Sequence, residues 1–330
     1  MTFWNKLLWV LLCLPATLLA EPSVDWNGYM QIRFSENFNN LHSFSVRRTK
    51  LWLKGQRPDA FRWGYKVQAL YRWQGDGALV LQDAFVEYRT DLFCLRFGQM
   101  TPDFSLERSQ HDFVLPLLER AQIINALIPT AESGARDIGM QTHLHSGNDF
   151  WSGSFGVFNG EGGNRKGNAD NRFLFTTRQL VQWHPRKSIE LSAGMSAAYR
   201  HATAMAFRHI LASNSLFSGD DVRWGVEARA AGQTWSVQGE YLHTSLNTTD
   251  AYGYYLLADY RVSVHQLVAL QAERFQAPNV TTTGNPIIWN FGYTYFIQQY
   301  RAKVMADLRT EHRPGKNYYT FMVQTQLFFN

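Results

Sequence analysis

The sequence predicts an all-β chain: a 16-stranded antiparallel transmembrane β-barrel with a long third loop folded into the pore. Three observations carry this. Short segments of alternating residue character recur along the whole chain, most about ten residues long, the reach of a tilted strand across a bilayer. Their connections alternate between long and short. One connection, Thr101 to Arg136, is far longer than the usual few residues.

The chain has 330 residues, 45% apolar, 15% aromatic and 18% charged, with a formal net charge of +5. Lys6 supplies one of those charges, leaving about +4 on residues 21–330, too small and scattered a charge to suggest nucleic acid. Residues 1–20 read as a signal peptide: Lys6 opens it, Leu7 to Leu14 form an apolar run, and Ala20 precedes a plausible cut at Glu21. The alternative is a retained N-terminal anchor. After cleavage Cys94 stands alone, which excludes an internal disulfide. No later window is long and apolar enough for a membrane helix. An exported chain of this kind is a periplasmic protein or an outer-membrane barrel, and periodicity separates the two.

Sixteen segments are expected: 26–34, 44–54, 61–72, 79–89, 92–99, 137–145, 150–158, 172–183, 189–200, 223–231, 234–243, 252–262, 266–275, 286–296, 301–310 and 318–329. Long connections are expected at 35–43, 73–78, 101–136, 159–171, 201–222, 244–251, 276–285 and 311–317, with a short helix possible in 201–222. Tight ones include Pro58-Asp-Ala60 and Gly232-Gln233. In the third segment Trp63, Tyr65, Val67, Ala69 and Tyr71 share one face, with Arg62, Lys66, Gln68 and Arg72 opposite. A barrel turns the apolar face to lipid and the polar face to water. A soluble sandwich would reverse them. Trp26, Trp63, Trp183, Tyr199 and Tyr260 near segment ends suit interfacial girdles.

Period-two parity assigns Arg33, Arg48, Lys50, Lys54, Arg62, Lys66, Arg72, Arg96 and Arg178 to the channel wall. Arg89, Arg200, Arg229, Arg261, Lys303 and Arg309 bring the wall to fifteen cations. Eight carboxylates oppose them: Asp83, Glu87, Glu190, Glu227, Glu240, Asp259, Glu273 and Asp307. A confined excess of about seven positive charges concentrates anions. Arginine forks match the oxygens of phosphate or carboxylate, and a row of weak sites would pass an anion along. The bland reading is that these arginines pair with Asp83 and Glu87 in a structural network. The 101–136 segment adds Arg108, Arg120 and Arg136 among Phe104, Phe113, Ile123 and Leu127, which need burial. It reads as a constriction loop, or else as a helical cap over a sheet.

Signals for an enzyme are weak. His143 and His145 share a strand face without a carboxylate cluster, Gly160-Glu-Gly-Gly163 has no helix after it, and no nucleophile elbow appears. No cofactor and no metal are expected.

The runs Phe44-Ser-Val-Arg-Arg-Thr-Lys-Leu51, Asp83-Ala-Phe-Val-Glu-Tyr88 and Leu95-Arg-Phe-Gly-Gln-Met-Thr-Pro-Asp-Phe-Ser-Leu-Glu107 resemble the phosphate-selective porin O and P family. Leu118-Glu-Arg120 and Arg136-Asp-Ile-Gly-Met140 fit the same pattern. The resemblance is strongest over residues 44–141. It implies a trimeric sixteen-stranded porin of the Gram-negative outer membrane, with a third loop that narrows the pore and a preference for anions, phosphate or polyphosphate in the best-known members. By position it extends to Arg47, Arg48, Lys50, Arg96, Glu107, Arg120 and Arg136. The chain looks short for that family and ends in Asn330 rather than an aromatic residue. The expected function is passive diffusion of small anionic solutes by a homotrimer in outer-membrane lipid. A non-selective general porin, a lipase- or protease-type barrel enzyme and a blocked structural barrel are the alternatives.

Overall fold

A computed structural model describes residues 23–56, 62–72, 78–211, 215–278, 286–313 and 315–329. The expected leader, the Pro58–Ala60 turn and parts of the 73–78, 201–222 and 276–285 connections lie outside them. Among the described residues, sixteen antiparallel strands close into one barrel, each paired with its sequence neighbours and β1 with β16. They are β1 Ser23–Glu36, β2 His42–Gln56, β3 Trp63–Arg72, β4 Ala78–Arg89, β5 Phe93–Met100, β6 Asp137–His145, β7 Trp151–Phe158 and β8 Leu174–Arg186, then β9 Ile189–Met205, β10 Phe217–Ala231, β11 Trp235–Leu246, β12 Thr249–Ser263, β13 Gln266–Gln276, β14 Ile287–Gln298, β15 Ala302–Arg313 and β16 Lys316–Phe329. Each expected segment falls on one of them.

Burial alternates along the strands. On β14, Ile288, Asn290 and Thr294 are buried, while Ile287, Trp289, Phe291, Tyr293 and Tyr295 are exposed. A belt of exposed aromatic and aliphatic residues continuing onto β12 (Tyr254, Leu256, Tyr260) and β1 (Trp26, Ile32) is unfavourable in water and favourable in hydrocarbon. The apolar face therefore points outward, to lipid.

Three connections depart from expectation. Residues 244–251 do not make a long loop: β11 runs to Leu246 and β12 starts at Thr249, with Asn247 in the left-handed conformation (φ 52°) that suits a tight hairpin. The 311–317 connection likewise shrinks between Arg313 and Lys316. Both strand pairs simply keep hydrogen bonding beyond the length a bilayer needs. The 201–222 segment has no helix among its described residues, because β9 and β10 extend into it. Phe207 and Ile210 instead tuck against the interior core.

The inner face is not uniformly polar. Leu242, Ala251, Tyr255, Leu257 and Phe275 on β11–β13 line it, and the apolar residues of 101–136 bury against them. That segment contains two short helices, α1 Leu106–Ser109 and α2 Gln122–Ala126, and a 3-10 turn at Ala131–Ser133. Ser105 caps α1, its hydroxyl accepting from the Arg108 N–H.

Candidate functional site

Two sets of contacts hold the 101–136 segment against the wall. The first serves its backbone. Glu240 accepts from the Leu106 and Glu107 N–H groups at 3.1 and 2.7 Å, Asp307 accepts from Leu118 N–H at 2.7 Å, and Glu273 accepts from Gln122 N–H. Arg33 donates to the Leu118 carbonyl at 3.2 Å and Arg223 to the carbonyls of Leu127 and Ile128. A loop with no strand partner thus has its polar backbone answered by wall side chains. Glycine completes the seat: a Cβ on Gly292 would lie 2.4 Å from Leu117 Cδ2.

The second set is ionic and is made mainly at β1–β4. Asp112 receives Arg48 at 3.1 Å, Arg120 at 2.8 Å, the Lys50 ammonium and, at 3.5 Å, the Tyr29 hydroxyl. Glu119 receives both Arg33 and Arg47. Asp83 takes Lys66 at 2.6 Å and Arg136 at 2.8 Å. Burial alone would raise the Asp112 carboxyl, but Arg48, Lys50 and Arg120 hold it well below the usual carboxylate range. Burial is likewise overcome at Glu119, which Arg47 and Arg33 draw down to about 2.

Parity alone would point Arg47 and Arg48 to opposite faces. Gln31 pairs with Arg48 and Ile32 with Val46, so Arg47 is an extra residue in β2. That bulge turns both arginines inward. A second irregularity, between Gln68 and Ala69, leaves Gln82 extra and buries it beside Asp83.

Most wall cations expected from sequence face inward, yet few are free. Arg178 is forked onto Glu227 and reaches Asp103 at 3.2 Å. Arg96 binds Glu87 at 2.9 Å and lies 5.2 Å over the Phe85 ring. Lys54 stands opposite Lys66 across the β2–β3 pair. Arg62, expected in the wall, instead precedes β3 in a left-handed turn (φ 47°) and meets Asp91 at the rim, both side chains well exposed. Arg72 ends β3, and its side chain lies outside the described residues.

The expected wall excess is partly answered by the long loop, whose own Arg108, Arg120 and Arg136 offset much of the negative charge it brings. Asp103, Asp112, Glu119 and Glu132 from the long loop pair with wall arginines, which a count of strand faces omits. Arg223, absent from the sequence expectation, is almost fully buried and bound to Asp221. Its alternation with Asp221 on β10 was the available signal.

Arg108 differs from its neighbours. Among the described residues its guanidinium makes one hydrogen bond, from Nη2 to the Gly134 carbonyl at 3.4 Å, and its buried Nε has no partner. Burial and the nearby charges of Arg136 and Arg120 weaken its hold on its proton. A cavity of about 380 Å³ opens beside it, lined by five cations (Arg47, Arg48, Lys50, Arg108 and Arg120) against Asp112 and Glu119. A second cavity, about 550 Å³, lies toward the tight turn Gly232-Gln233 and mixes Arg178, Arg229 and Arg261 with Glu190 and Asp259.

A lipid-facing apolar exterior around a sixteen-stranded wall with polar cavities inside defines a porin-type channel of the Gram-negative outer membrane. The sequence matches the phosphate-selective porin O and P family over residues 24–321, and the chain belongs to that family. Solved structures agree on the fold. OprB of Pseudomonas putida, at high pH, superposes with a TM-score of 0.68 at 10% identity, covering 93% of this chain and 94% of that one. The outer membrane channel DcaP of Acinetobacter baumannii gives 0.64 at 11%, covering 93% and 97%. The trimer form of OmpT, an outer membrane protein of Vibrio cholerae, gives 0.61 at 10%, covering 93% and 99%. No curated protein matches the sequence.

Proposed function

We propose that this porin is a passive diffusion channel that prefers small anions, phosphate-like ones among them, and that the 101–136 loop narrows its passage. What supports this most is the cavity of about 380 Å³, where five cations face two carboxylates and Arg108 has no carboxylate partner among the described residues. Low-dielectric walls focus that excess, and guanidinium forks suit oxyanions. The family's phosphate-selective description supports the same solute class. Arg48, Lys50 and Arg120 of its lining, with Arg33 at Glu119 and Arg136 at Asp83, are read as a ladder of anion sites, and Lys54, Lys66, Arg96 and Arg178 as further wall cations.

The trimer form of the Vibrio cholerae protein of similar fold supports a homotrimer in outer-membrane lipid. Residues 1–20, outside the described residues, are read as an export leader cleaved near Ala20. The deciding experiment is a reversal-potential measurement in a planar bilayer across a potassium chloride gradient. An anion-selective potential is expected. A cation-selective one would reject the reading and leave the barrel intact.

A further inference from the structure

We propose that Asp112 and Glu119 are resident counter-anions: the loop's own carboxylates occupy the anion sites of the basic ladder and set how tightly a passing anion is held. This rests on the anion-preferring reading above and identifies the residues that grade it.

Glu119 offers its two oxygens to Arg47 Nε and Nη2, each at 3.0 Å. That is the fork-on-carboxylate geometry a free oxyanion would adopt. Asp112 stands where Arg48, Lys50, Arg120 and the Tyr29 hydroxyl converge, three cations and one further donor around a single carboxylate. Both carboxylates line the same cavity as the cations they answer.

The loop has a second set of anchors besides them. Its backbone is held by Glu240, Asp307 and Arg223, and its apolar side chains pack on β11–β13. What Asp112 and Glu119 add is charge at the cationic face. A bare ladder would bind a multivalent anion tightly and release it slowly, whereas conduction needs sites weak enough to leave. Two built-in carboxylates lower the field without abolishing it, since the cavity lining keeps more cations than carboxylates.

The test uses the full channel in planar bilayers, with chloride current titrated by inorganic phosphate. Asp112→Asn and Glu119→Gln keep side-chain shape and remove one charge each. Each is expected to lower the half-blocking phosphate concentration by about tenfold and to lengthen single blocking events, as one neighbouring unit charge at partly screened distance warrants. Asp112→Glu, which keeps the charge, is expected to stay near the wild type. Phosphate block that is unchanged or weaker in either amide variant that inserts and conducts overturns the proposal. If the wild-type channel itself is anion-selective in that case, only the counter-anion role is lost. A cation-selective wild type removes both readings together.

Discussion

Arg47 lies side-on to Glu119, Nε and Nη2 each 3.0 Å from a carboxylate oxygen, across a gap that strand parity says Arg47 should not face. The bulge in β2 alone turns it inward. This pair fastens the long loop to β2, while backbone bonds to other strands and apolar packing fasten the rest of the same loop. The two seams respond differently to perturbation.

The Arg47–Glu119 pair contributes little to stability. Arg47 and Glu119 keep about a third and a quarter of their side-chain surface, at 35% and 24%. Water screens such a pair, so Arg47→Ala should cost no more than about 1 kcal/mol. Urea unfolding in lipid vesicles measures this, and a loss several times larger would show the pair to be a structural clamp.

The apolar seam is sterically exacting. Gly292→Val places methyl groups where Leu117 Cδ2 would be 2.4 Å from Cβ and Asp307 Oδ1 3.0 Å from it. Overpacking of this kind costs about 1–3 kcal/mol and should lift Leu117 and Leu118 from the wall. Limited trypsin digestion should then cut at Arg120 faster than in wild type. Ala306→Val, on the outer face of β15, is the control and should leave cleavage unchanged.

Arg108 is the cation with most to gain from an anion. Arg108→Glu puts a carboxylate into the same cavity and should move the reversal potential toward zero or past it, a change of two charges in the cavity lining. Lys50→Glu should act in the same direction. Arg274→Glu, on the outward face of β13, should leave selectivity unchanged; equal shifts from all three would mean the effect is not local to the cavity.

Alkaline pH should loosen the loop. Burial, reinforced by the Glu240 carboxylate and opposed by Arg120, pushes the Glu107 carboxyl from its ordinary 4.5 up to about 8. The folded chain therefore holds this proton more tightly than the unfolded chain. Its contribution is complete below the unfolded value and disappears as pH rises through the folded one. The thermal midpoint in detergent micelles should fall between about pH 4.5 and about pH 8 more steeply in wild type than in Glu107→Gln. Parallel curves for the two proteins would contradict this.

Sequence alone determined the barrel. Strand count, lipid-facing residues and the position of the long segment all follow from period-two alternation, because a pleated strand must send successive side chains to opposite faces whatever surrounds it. Tertiary structure decided what parity cannot carry. One extra residue turned Arg47 inward, and a left-handed turn put Arg62 at the rim. Gly292 became a seat for Leu117, a contact between residues 175 positions apart along the chain. The net field of the channel was decided there too. Wall cations can be counted from alternation, but the carboxylates that answer them arrive on a loop with no period of its own, and only folding brings Asp112 and Glu119 against the ladder.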